Sequence, residues 1–481
     1  MKEIRLTIKE GDWRSLRRHL LQKDGLERQA FLELGHSETS KRIELFAHRV
    51  RAIIDNDYLL QKTCYVKPKE RVVVEAYSSF MHSGVPVHGH VHSHPFCSRA
   101  AFSPVDRKTL RDMVHGLSDL VKTTGLGEDS ICFQMVTGKN PDGFQGLLVD
   151  LKGKKLGDLG CVRVIGSKGF NFYQLKREQK ATWSSLDERF DRNVRWLRDE
   201  GQGRLSKTHL AICGLGGVGA MVVANIRGLG FKEVTLVDPD RVEPSNLNRL
   251  AGAGREDIES FKVDIFKREI RRVSPETEVH AVSTGVETPV AQSFLKGSDL
   301  IVSAVDGMGP RAELQVLSAR LLKPLFDTGS GILVDKEGSI RRMGSQIIVY
   351  VPGGPCLACQ GLDLFRPVQG LAGEIRRRTG YVMGTDLTPT SVATINSVVA
   401  GWVVNHVIRY LTGLGPIPYF TRIDQWAGKV DQLAFVKKKS CPICGKEGIE
   451  GKGDDRVELL SPPDPKISFQ IESVSREVIE C

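Results

Sequence analysis

The sequence predicts two α/β-class domains of different kinds, an α+β domain followed by a doubly wound α/β domain. Its 481 residues exceed one typical domain. Short β-like runs mix with two helical stretches up to about residue 165, whereas apolar strands alternate with helices from His209 onward. The expected boundaries are 1–167 for the first domain, 168–205 for a charged helical linker, 206–445 for the second domain and 446–481 for a flexible polar tail.

Local patterns predict the elements of the first domain and its surroundings. Strands are expected at 71–76 (RVVVEA), 89–94, 131–137 and 146–151, and helices at 13–21 and 109–121. Trp183, Phe190 and Trp196 are expected to anchor the linker, and the tail is expected to contain one short strand at 467–471.

Composition narrows the classes of function. A net charge of +10 indicates either a solvated basic surface or attraction to ATP and an acidic protein partner, and no motif for nucleic-acid binding accompanies it. The first five residues are too charged for a signal peptide, and the apolar stretch 397–411 is too short and too interrupted to span a bilayer. We therefore expect a cytoplasmic protein with no nucleic-acid or membrane partner.

A glycine-rich turn follows the strand predicted at 209–213 and opens a helix. Small residues let the backbone approach phosphates, and the helix N-terminus stabilises their charge. Asp238 ends the next strand, where a carboxylate can bind ribose hydroxyls. A nicotinamide dehydrogenase would explain these features equally well. The glycines are Gly214, Gly216, Gly217 and Gly219.

Polar residues further along favour a triphosphate. Asn246, Arg249 and Lys262 follow the ribose-binding strand, and Asp306 follows the strand predicted at 300–304. Arg and Lys neutralise phosphate oxygens, and an Asp can hold Mg²⁺. Each residue alone is a common surface charge, but a dehydrogenase has no need for the whole set.

The order of these motifs resembles the ThiF/MoeB/ubiquitin-activating superfamily, whose fold is Rossmann-like. The matching segments are RFDRN (189–193), GLGGVG (214–219), VDPD (237–240), SNLNR (245–249), Lys262 and VDG (305–307). The resemblance implies that Asp238 and Asp240 lie in the nucleotide site, with Asp238 at the ribose. It also assigns the triphosphate to Asn246, Arg249 and Lys262, magnesium to Asp306, and an arginine finger across a homodimer to Arg192.

The resemblance implies ATP-dependent adenylation of the C-terminal glycine of a ubiquitin-like protein, in a bacterial-type conjugation pathway with phage defence as one context. A conjugating enzyme or a sulfur donor would be a further partner. Two alternatives stay open, which are activation of a sulfur carrier as a thiocarboxylate and a non-enzymatic nucleotide-dependent scaffold.

Two CxxC pairs, Cys356/Cys359 and Cys441/Cys444, have the spacing of zinc knuckles. The 81 residues between the pairs exceed a usual zinc ribbon, but the superfamily often carries a structural zinc there. A redox dithiol or unpaired cysteines are the alternative.

A cysteine that could carry a thioester is missing from the expected loop. Between Cys359 and Cys441 there is none, and residues 381–390 offer hydroxyls only. Cys213 is expected to be buried, and Cys481 is the final residue. We therefore expect the reaction to stop at the acyl adenylate or to pass it directly to another protein.

Four histidines at period two, His88 to His94, share one face if they lie on a strand. They are too many for core histidines with satisfied ring nitrogens, so a metal is expected. Ser103-Pro104-Val105-Asp106 has the pattern of a helix start with a capping box, which would also fix Asp106 near that metal.

His92, His94, Ser103 and Asp106 resemble the JAMM motif of zinc metalloproteases. The resemblance implies zinc on His92, His94 and Asp106, oxyanion stabilisation by Ser103 and a general-base glutamate on an upstream strand, with a metal fold that has lost activity as the alternative. Glu27 is the candidate base, and Glu33 is a second candidate that we expect to face solvent. His88 and His90 are expected to line the strand or contact substrate.

Overall fold

The computed structural model describes residues 2–125, 127–167, 169–174, 188–334, 339–362, 364 and 391–454. The predicted loop at 381–390, Trp183, the strand at 467–471 and Cys481 lie outside these residues. Within them, none of the helices has the length and hydropathy needed to cross a membrane.

The first domain is a mixed sheet with three helices. Its helices are Glu10–Leu20 (α1), Glu70–Ser83 (α2) and Pro104–Thr124 (α3). Its strands are Glu3–Lys9 (β1), Gln29–Glu38 (β2), Arg42–Ala52 (β3), Tyr58–Gln61 (β4), Val66–Pro68 (β5), Val87–Ser93 (β6), Ile131–Thr137 (β7), Phe144–Asp150 (β8), Lys155–Gly166 (β9) and Gly169–Gln174 (β10). The main sheet has the order β1-β3-β2-β6-β7-β8-β9-β10, and it closes because β1 also pairs with β9; β4 and β5 form a separate hairpin.

Two expectations for this part of the chain were wrong. Residues 71–76 lie in helix α2, because Val72, Ala76 and Phe80 recur every four residues and are buried on one face. Residues 169–174 form a strand instead of the helical start of a linker, since they pair with β9 as an antiparallel hairpin. The first domain thus extends past residue 167.

The second domain is a doubly wound sheet. Its helices are Asp191–Leu205 (α4), Gly217–Ile226 (α5), Lys262–Val273 (α6), Pro289–Gly297 (α7), Met308–Arg320 (α8) and Ala393–Thr412 (α9). Its strands are His209–Cys213 (β11), Glu233–Val237 (β12), Glu278–Val282 (β13), Leu300–Ser303 (β14), Leu325–Val334 (β15), Ile340–Tyr350 (β16), Phe420–Asp424 (β17) and Lys429–Leu433 (β18).

The strands of the sheet have the order β13-β12-β11-β14-β15-β16-β17-β18. From β11 the chain adds β12 and β13 on one side, and it then returns to add β14 and the later strands on the other side. The first five strands in this order are parallel, and their carboxyl ends define one edge of the sheet. In sheets of this kind ligands bind outside that edge, at the point between β11 and β14 where the strand order reverses. The predicted α/β fold of this domain is confirmed.

The first domain packs against the opposite, amino-terminal edge of this sheet. Arg163 is fully buried there, 3.0 Å from Asp299, which directly precedes β14. Lys41 lies 3.3 Å from Glu233, the first residue of β12. The buried charges of Arg163 and Asp299 stabilise each other, since an unpaired ion in this position would be costly, whereas the Lys41 side chain is exposed.

The linker and tail also differ from expectation. Phe190 is buried as expected of an anchor, but Trp196 is 49% exposed. Residues 446–454 pack between the domains, with Ile449 and Glu450 both buried, so the polar tail begins no earlier than residue 455.

Candidate functional site

The glycine turn forms at the carboxyl edge of the sheet, between β11 and α5. Gly214 has φ 84°, and a Cβ there would lie 2.5 Å from the carbonyl oxygen of Ala304. A Cβ on Gly219 would lie 1.9 Å from the carbonyl oxygen of Gly214. Gly216 instead borders open space at the N-terminus of α5. The turn therefore requires glycine for its own shape and leaves room for an anion at the helix end.

Asp238 and Lys262 lie beside this turn. Asp238 accepts the backbone N–H groups of Leu215 at 2.5 Å and of Asp240 at 2.8 Å. Burial raises the pKa of Asp238, and Lys262 opposes this rise. The Nζ atom of Lys262, at the start of α6, lies 2.7 Å from Asp240 and 4.0 Å from Asp238. The lysine is held in place by two carboxylates.

Arg249 reaches the same turn from the other side. Its guanidinium donates to the Ser245 carbonyl at 2.8 Å, and its Cδ atom would lie 3.1 Å from a Cβ on Gly217. Asn246 is buried and caps its own short turn by accepting the N–H of Glu243. The structure thus brings Arg249 to the glycines, whereas the Asn246 amide supports the loop.

Asp306 is exposed just past β14, at the same edge. Below its loop, buried Arg311 lies 2.6 Å from buried Asp327 and donates to the Val305 carbonyl. Burial raises the pKa of Asp327. Neither residue was predicted from the sequence, although an aspartate directly after the apolar pair Leu325–Phe326 was a signal that this strand holds a buried polar partner.

Asn396, at the start of α9, was also missed. It accepts from Ser330 at 2.7 Å, and its Nδ2 atom occupies the space next to Gly217. Its side chain therefore packs directly against the glycine turn.

Arg192 projects away from its own domain, with its side chain 88% exposed beside Asp191. On the same outer surface, a shallow groove of about 310 Å³ is lined by Trp196, Trp402, Asn405, Arg409 and Leu414. Trp196 is exposed and Trp402 is half-buried, and large aromatic side chains around one groove are typical of an interaction surface.

The four cysteines of the CxxC pairs converge. Sγ–Sγ distances are 3.6 Å for Cys356–Cys441 and 3.5 Å for Cys359–Cys444, and one ligand atom from each residue lies within 4.8 Å of the others. Tetrahedral zinc–thiolate bonds of about 2.3 Å place sulfurs about 3.8 Å apart, so these thiols fit zinc.

A second cluster lies in the first domain, where β6 ends and α3 begins. The Nε2 atoms of His92 and His94 lie 2.9 Å and 3.5 Å from the carboxylate oxygens of Asp106. Both ring nitrogens of His92 are buried, and neither forms an aligned hydrogen bond with any residue described. Two imidazoles and a carboxylate with unused nitrogen atoms fit a zinc ion that has one open position.

The capping box of α3 places Asp106 in this cluster. Ser103 Oγ accepts the Asp106 N–H at 3.2 Å, and the Asp106 carboxylate accepts the Ser103 N–H at 2.7 Å. Gln134 from β7 donates to the Asp106 carbonyl at 3.0 Å. Ser103 uses only its oxygen in the cap, so its hydroxyl hydrogen can still be donated.

Glu27 faces the same cluster across a cavity of about 270 Å³. Its Oε1 atom lies 3.8 Å from His94 Nε2, and its side chain is almost entirely buried. Burial raises the pKa of Glu27 to about 7. The residue sits in the loop just before β2 and not on a strand as expected. A carboxyl group in this environment can exchange protons near neutral pH.

The remaining candidates of this domain do not belong to the group formed by His92, His94 and Asp106. Glu33 is buried, contrary to expectation, because it faces α2 and accepts from Ser79. His88 is a core residue packed against Phe31 and Tyr77, although neither of its ring nitrogens has a hydrogen-bond partner among the described residues. His90 lines the cavity and packs against His92.

Known proteins resemble the second half of the chain. The SAMP-activating enzyme E1 of Haloferax volcanii is 27% identical over 260 residues, 54% of this chain and 88% of that protein. The sulfur carrier protein adenylyltransferase of Thermus thermophilus is 26% identical over 257 residues, 52% of this chain and 86% of that protein. The solved structure of Escherichia coli MccB with ATP is 21% identical, with 54% of this chain and 75% of that chain covered and a TM-score of 0.43.

A family model extends over the same region. The ThiF family model matches residues 190–443, which include the glycine turn, Lys262, Asp306 and three of the four cysteines of the CxxC pairs, and the fourth, Cys444, directly follows the matched range. This match spans more than half of the sequence, and the chain therefore belongs to the ThiF family.

Proposed function

We propose that the second domain uses ATP to adenylate the C-terminal carboxylate of a small carrier protein of the ubiquitin-like type, ending in glycine. The observation that carries the proposal is the meeting of a phosphate-binding glycine turn with Arg249, Lys262 and Asp306 at one sheet edge. The names of the relatives, an activating enzyme and a sulfur carrier adenylyltransferase, support the same class of reaction.

The site suits a reaction between two anions. The carrier carboxylate attacks the α-phosphorus of ATP, an oxygen–phosphorus bond forms, and the α–β bridging bond breaks to release pyrophosphate. A carboxylate is already a nucleophile, so catalysis depends on positioning and on offsetting charge. The N-terminus of α5, Arg249 and Lys262 supply positive potential, and Asp238 would bind the ribose. Asp306 would hold Mg²⁺, which neutralises phosphate charge when bound.

We place Arg192 in the site of a second copy of the chain. Its side chain extends into solvent next to the groove that contains Trp196 and Trp402, and that groove would be buried in a homodimer. An arginine supplied across an interface adds charge stabilisation that one chain lacks.

Pyrophosphate exchange tests the adenylation proposal. The chain should exchange labelled pyrophosphate into ATP only with a carrier that ends in glycine, and a carrier lacking its last two residues is the control. Exchange that ignores the carrier, or no exchange with any glycine-ended carrier encoded beside this gene, would contradict the proposal and favour a nucleotide-dependent scaffold.

The fate of the adenylate separates two versions of this function. The absence of any cysteine between Cys359 and Cys441 argues against a thioester on that loop and fits transfer either to a conjugating enzyme or to a sulfur donor. Intact-mass analysis of the carrier decides, because replacement of one oxygen by sulfur adds about 16 Da. A reducible enzyme–carrier adduct would contradict both versions.

We further propose that the first domain is a JAMM-type zinc hydrolase that trims or removes the same carrier. Its support is the convergence of His92, His94 and Asp106 opposite a buried glutamate in one cavity. When bound there, zinc would polarise the scissile carbonyl and acidify a water. Glu27 would take a proton from the attacking water and deliver it to the leaving amine, and the Ser103 hydroxyl would donate to the oxyanion.

The two activities acting on one carrier would explain their fusion in one chain. Incubation of the zinc-loaded protein with a carrier extended by a short peptide beyond its glycine should release that peptide. If no extended carrier is cleaved although zinc is bound at both sites, the first domain would be a metal-binding fold without hydrolytic activity.

A further inference from the structure

Residues 445–454, here called the clasp, run from Cys444, the last cysteine of the CxxC pairs, along the boundary between the two domains. On the side of the first domain, the Asp454 N–H donates to the His36 carbonyl at 2.7 Å, and the Asp454 carboxylate accepts the Ser37 hydroxyl at 2.7 Å. Further back, the Glu450 carbonyl lies 2.7 Å from Nδ1 of His48. The clasp thus contacts both β2 and β3.

The same residues hold the second domain. The N–H groups of Gly451 and Gly453 donate to the carbonyls of Ala319 and Arg320, each at 3.0 Å, at the end of α8. The Asp454 carboxylate also lies 3.0 Å from Lys296. Along these ten residues, contacts with the first domain alternate with contacts with the second domain, and together they join the two domains.

Glu450 is the centre of this arrangement, with only 3% of its surface exposed. Its carboxylate accepts the Tyr350 hydroxyl and the Gly353 N–H, each at 2.9 Å. Lys437 lies 3.1 Å away, and Lys9 of the first domain lies 3.7 Å away. A buried carboxylate with cations from both domains is sensitive to the loss of either one.

The clasp fits because two of its residues are glycines with positive φ, 77° at Gly451 and 73° at Gly453. A Cβ on Gly453 would lie 2.3 Å from the backbone nitrogen of His36. Any larger residue there would separate the clasp from β2.

The four cysteines fix the point from which the clasp starts. The Gly445 N–H donates to the Cys441 carbonyl at 2.8 Å, and the Ile449 N–H donates to the Ile443 carbonyl at 3.0 Å. An ion held by all four thiols would tie this turn to Cys356 and Cys359, which follow β16.

We propose that the four-cysteine centre and the clasp together form an interdomain lock, in which metal bound by the thiols holds the two domains in one alignment. The proposal is independent of both catalytic assignments. It gives this metal a role beyond the second domain, because its loss would reach β2 and β3 of the first domain.

Hydrogen exchange on the full chain, with zinc content measured in parallel, tests the lock. Replacing Cys441 and Cys444 together by serine should remove one zinc and speed exchange of the Gly451, Gly453 and Asp454 N–H groups roughly tenfold, because their hydrogen bonds to the carbonyls of Ala319, Arg320 and His36 are lost. Exchange in β7, remote from the clasp, should stay unchanged. Cys97→Ser, at an exposed cysteine of the first domain, is the matched control.

Gly453→Ala separates the clasp from the metal. This chain should keep all its zinc and still show the faster exchange of the Asp454 N–H, which donates to the His36 carbonyl. If the double serine chain unfolds, β7 loses protection as well, and the alanine variant alone decides. Unchanged protection of the Asp454 N–H in the alanine variant, or a change confined to 441–445 in a folded double variant, would overturn the proposal.

Discussion

The ammonium group of Lys262 lies 2.7 Å from the carboxylate of Asp240, on the side of the glycine turn where a phosphate chain would enter. The pair positions the cation before any nucleotide arrives, because Lys262 is buried and Asp240 is the more exposed partner. The lysine can therefore turn toward phosphate while Asp240 returns to solvent.

Replacement of Lys262 by methionine should lower carrier-dependent pyrophosphate exchange about 100-fold, since one preorganised cation near the phosphates is lost. Lys267→Met on the same helix is the control and should retain activity. Equal activity of the two variants would show that Lys262 contributes only to the ion pair with Asp240.

Mixing two inactive chains should restore activity if Arg192 acts across a homodimer. Arg192→Ala keeps its own Lys262, and Lys262→Met still offers Arg192 to its partner. A 1:1 mixture of exchanging dimers should recover about a quarter of the wild-type rate, because half of the dimers are mixed and each contains one complete site. A mixture as inactive as its components would contradict the action of Arg192 across a homodimer.

Glu27→Gln should abolish hydrolysis of an extended carrier and leave the zinc content unchanged, because glutamine cannot accept the proton from water. Glu33→Gln removes a buried carboxylate that lies outside the cavity and should retain cleavage. Residual cleavage by the Glu27 variant, at more than a few per cent of wild type, would assign the base elsewhere.

Acid should weaken the folded protein through His48. Burial lowers the pKa of His48 from 6.5 to about 4. Between these values the unfolded chain binds a proton that the folded chain excludes, so stability is present above pH 6.5 and is lost as the pH falls toward 4. The contribution is at most about 3 kcal/mol.

The urea midpoint at pH 7 and pH 5 measures this effect. His48→Gln should reduce the difference between the two midpoints, and the exposed His82→Gln should leave it as in the wild type. A difference that is the same in all three proteins would remove His48 from the acid response.

Patterns with a fixed period or spacing predicted much of the fold. Strand β11, the glycine turn and α5 follow directly from the order of apolar and small residues, and His92, His94 and Asp106 do meet as their motif requires. The helix at 70–83 was missed because three adjacent valines dominate a six-residue window, whereas the four-residue period appears only over the whole segment.

Contacts between distant segments could not be predicted in this way. The burial of Glu33 depends on Ser79, 46 residues away, and the pairing of Arg311 with Asp327 depends on how α8 crosses β15. Polar residues 447–454 resemble a solvated tail until both domains are present to hydrogen-bond their backbone. The sequence around a residue does not indicate which distant groups will form hydrogen bonds with it.

Because the first domain packs at the amino-terminal edge of the second sheet, the two proposed sites lie far apart for a carrier that would move between them. The five residues of β11 separate that edge from the glycine turn by about 17 Å, and the seven steps along β2 from His36 to Gln29, the partner of His92, add about 23 Å. A carrier tail a few residues long cannot cover this path. If both proposed activities hold, a carrier cut by the first domain would therefore have to dissociate before the second domain could activate it.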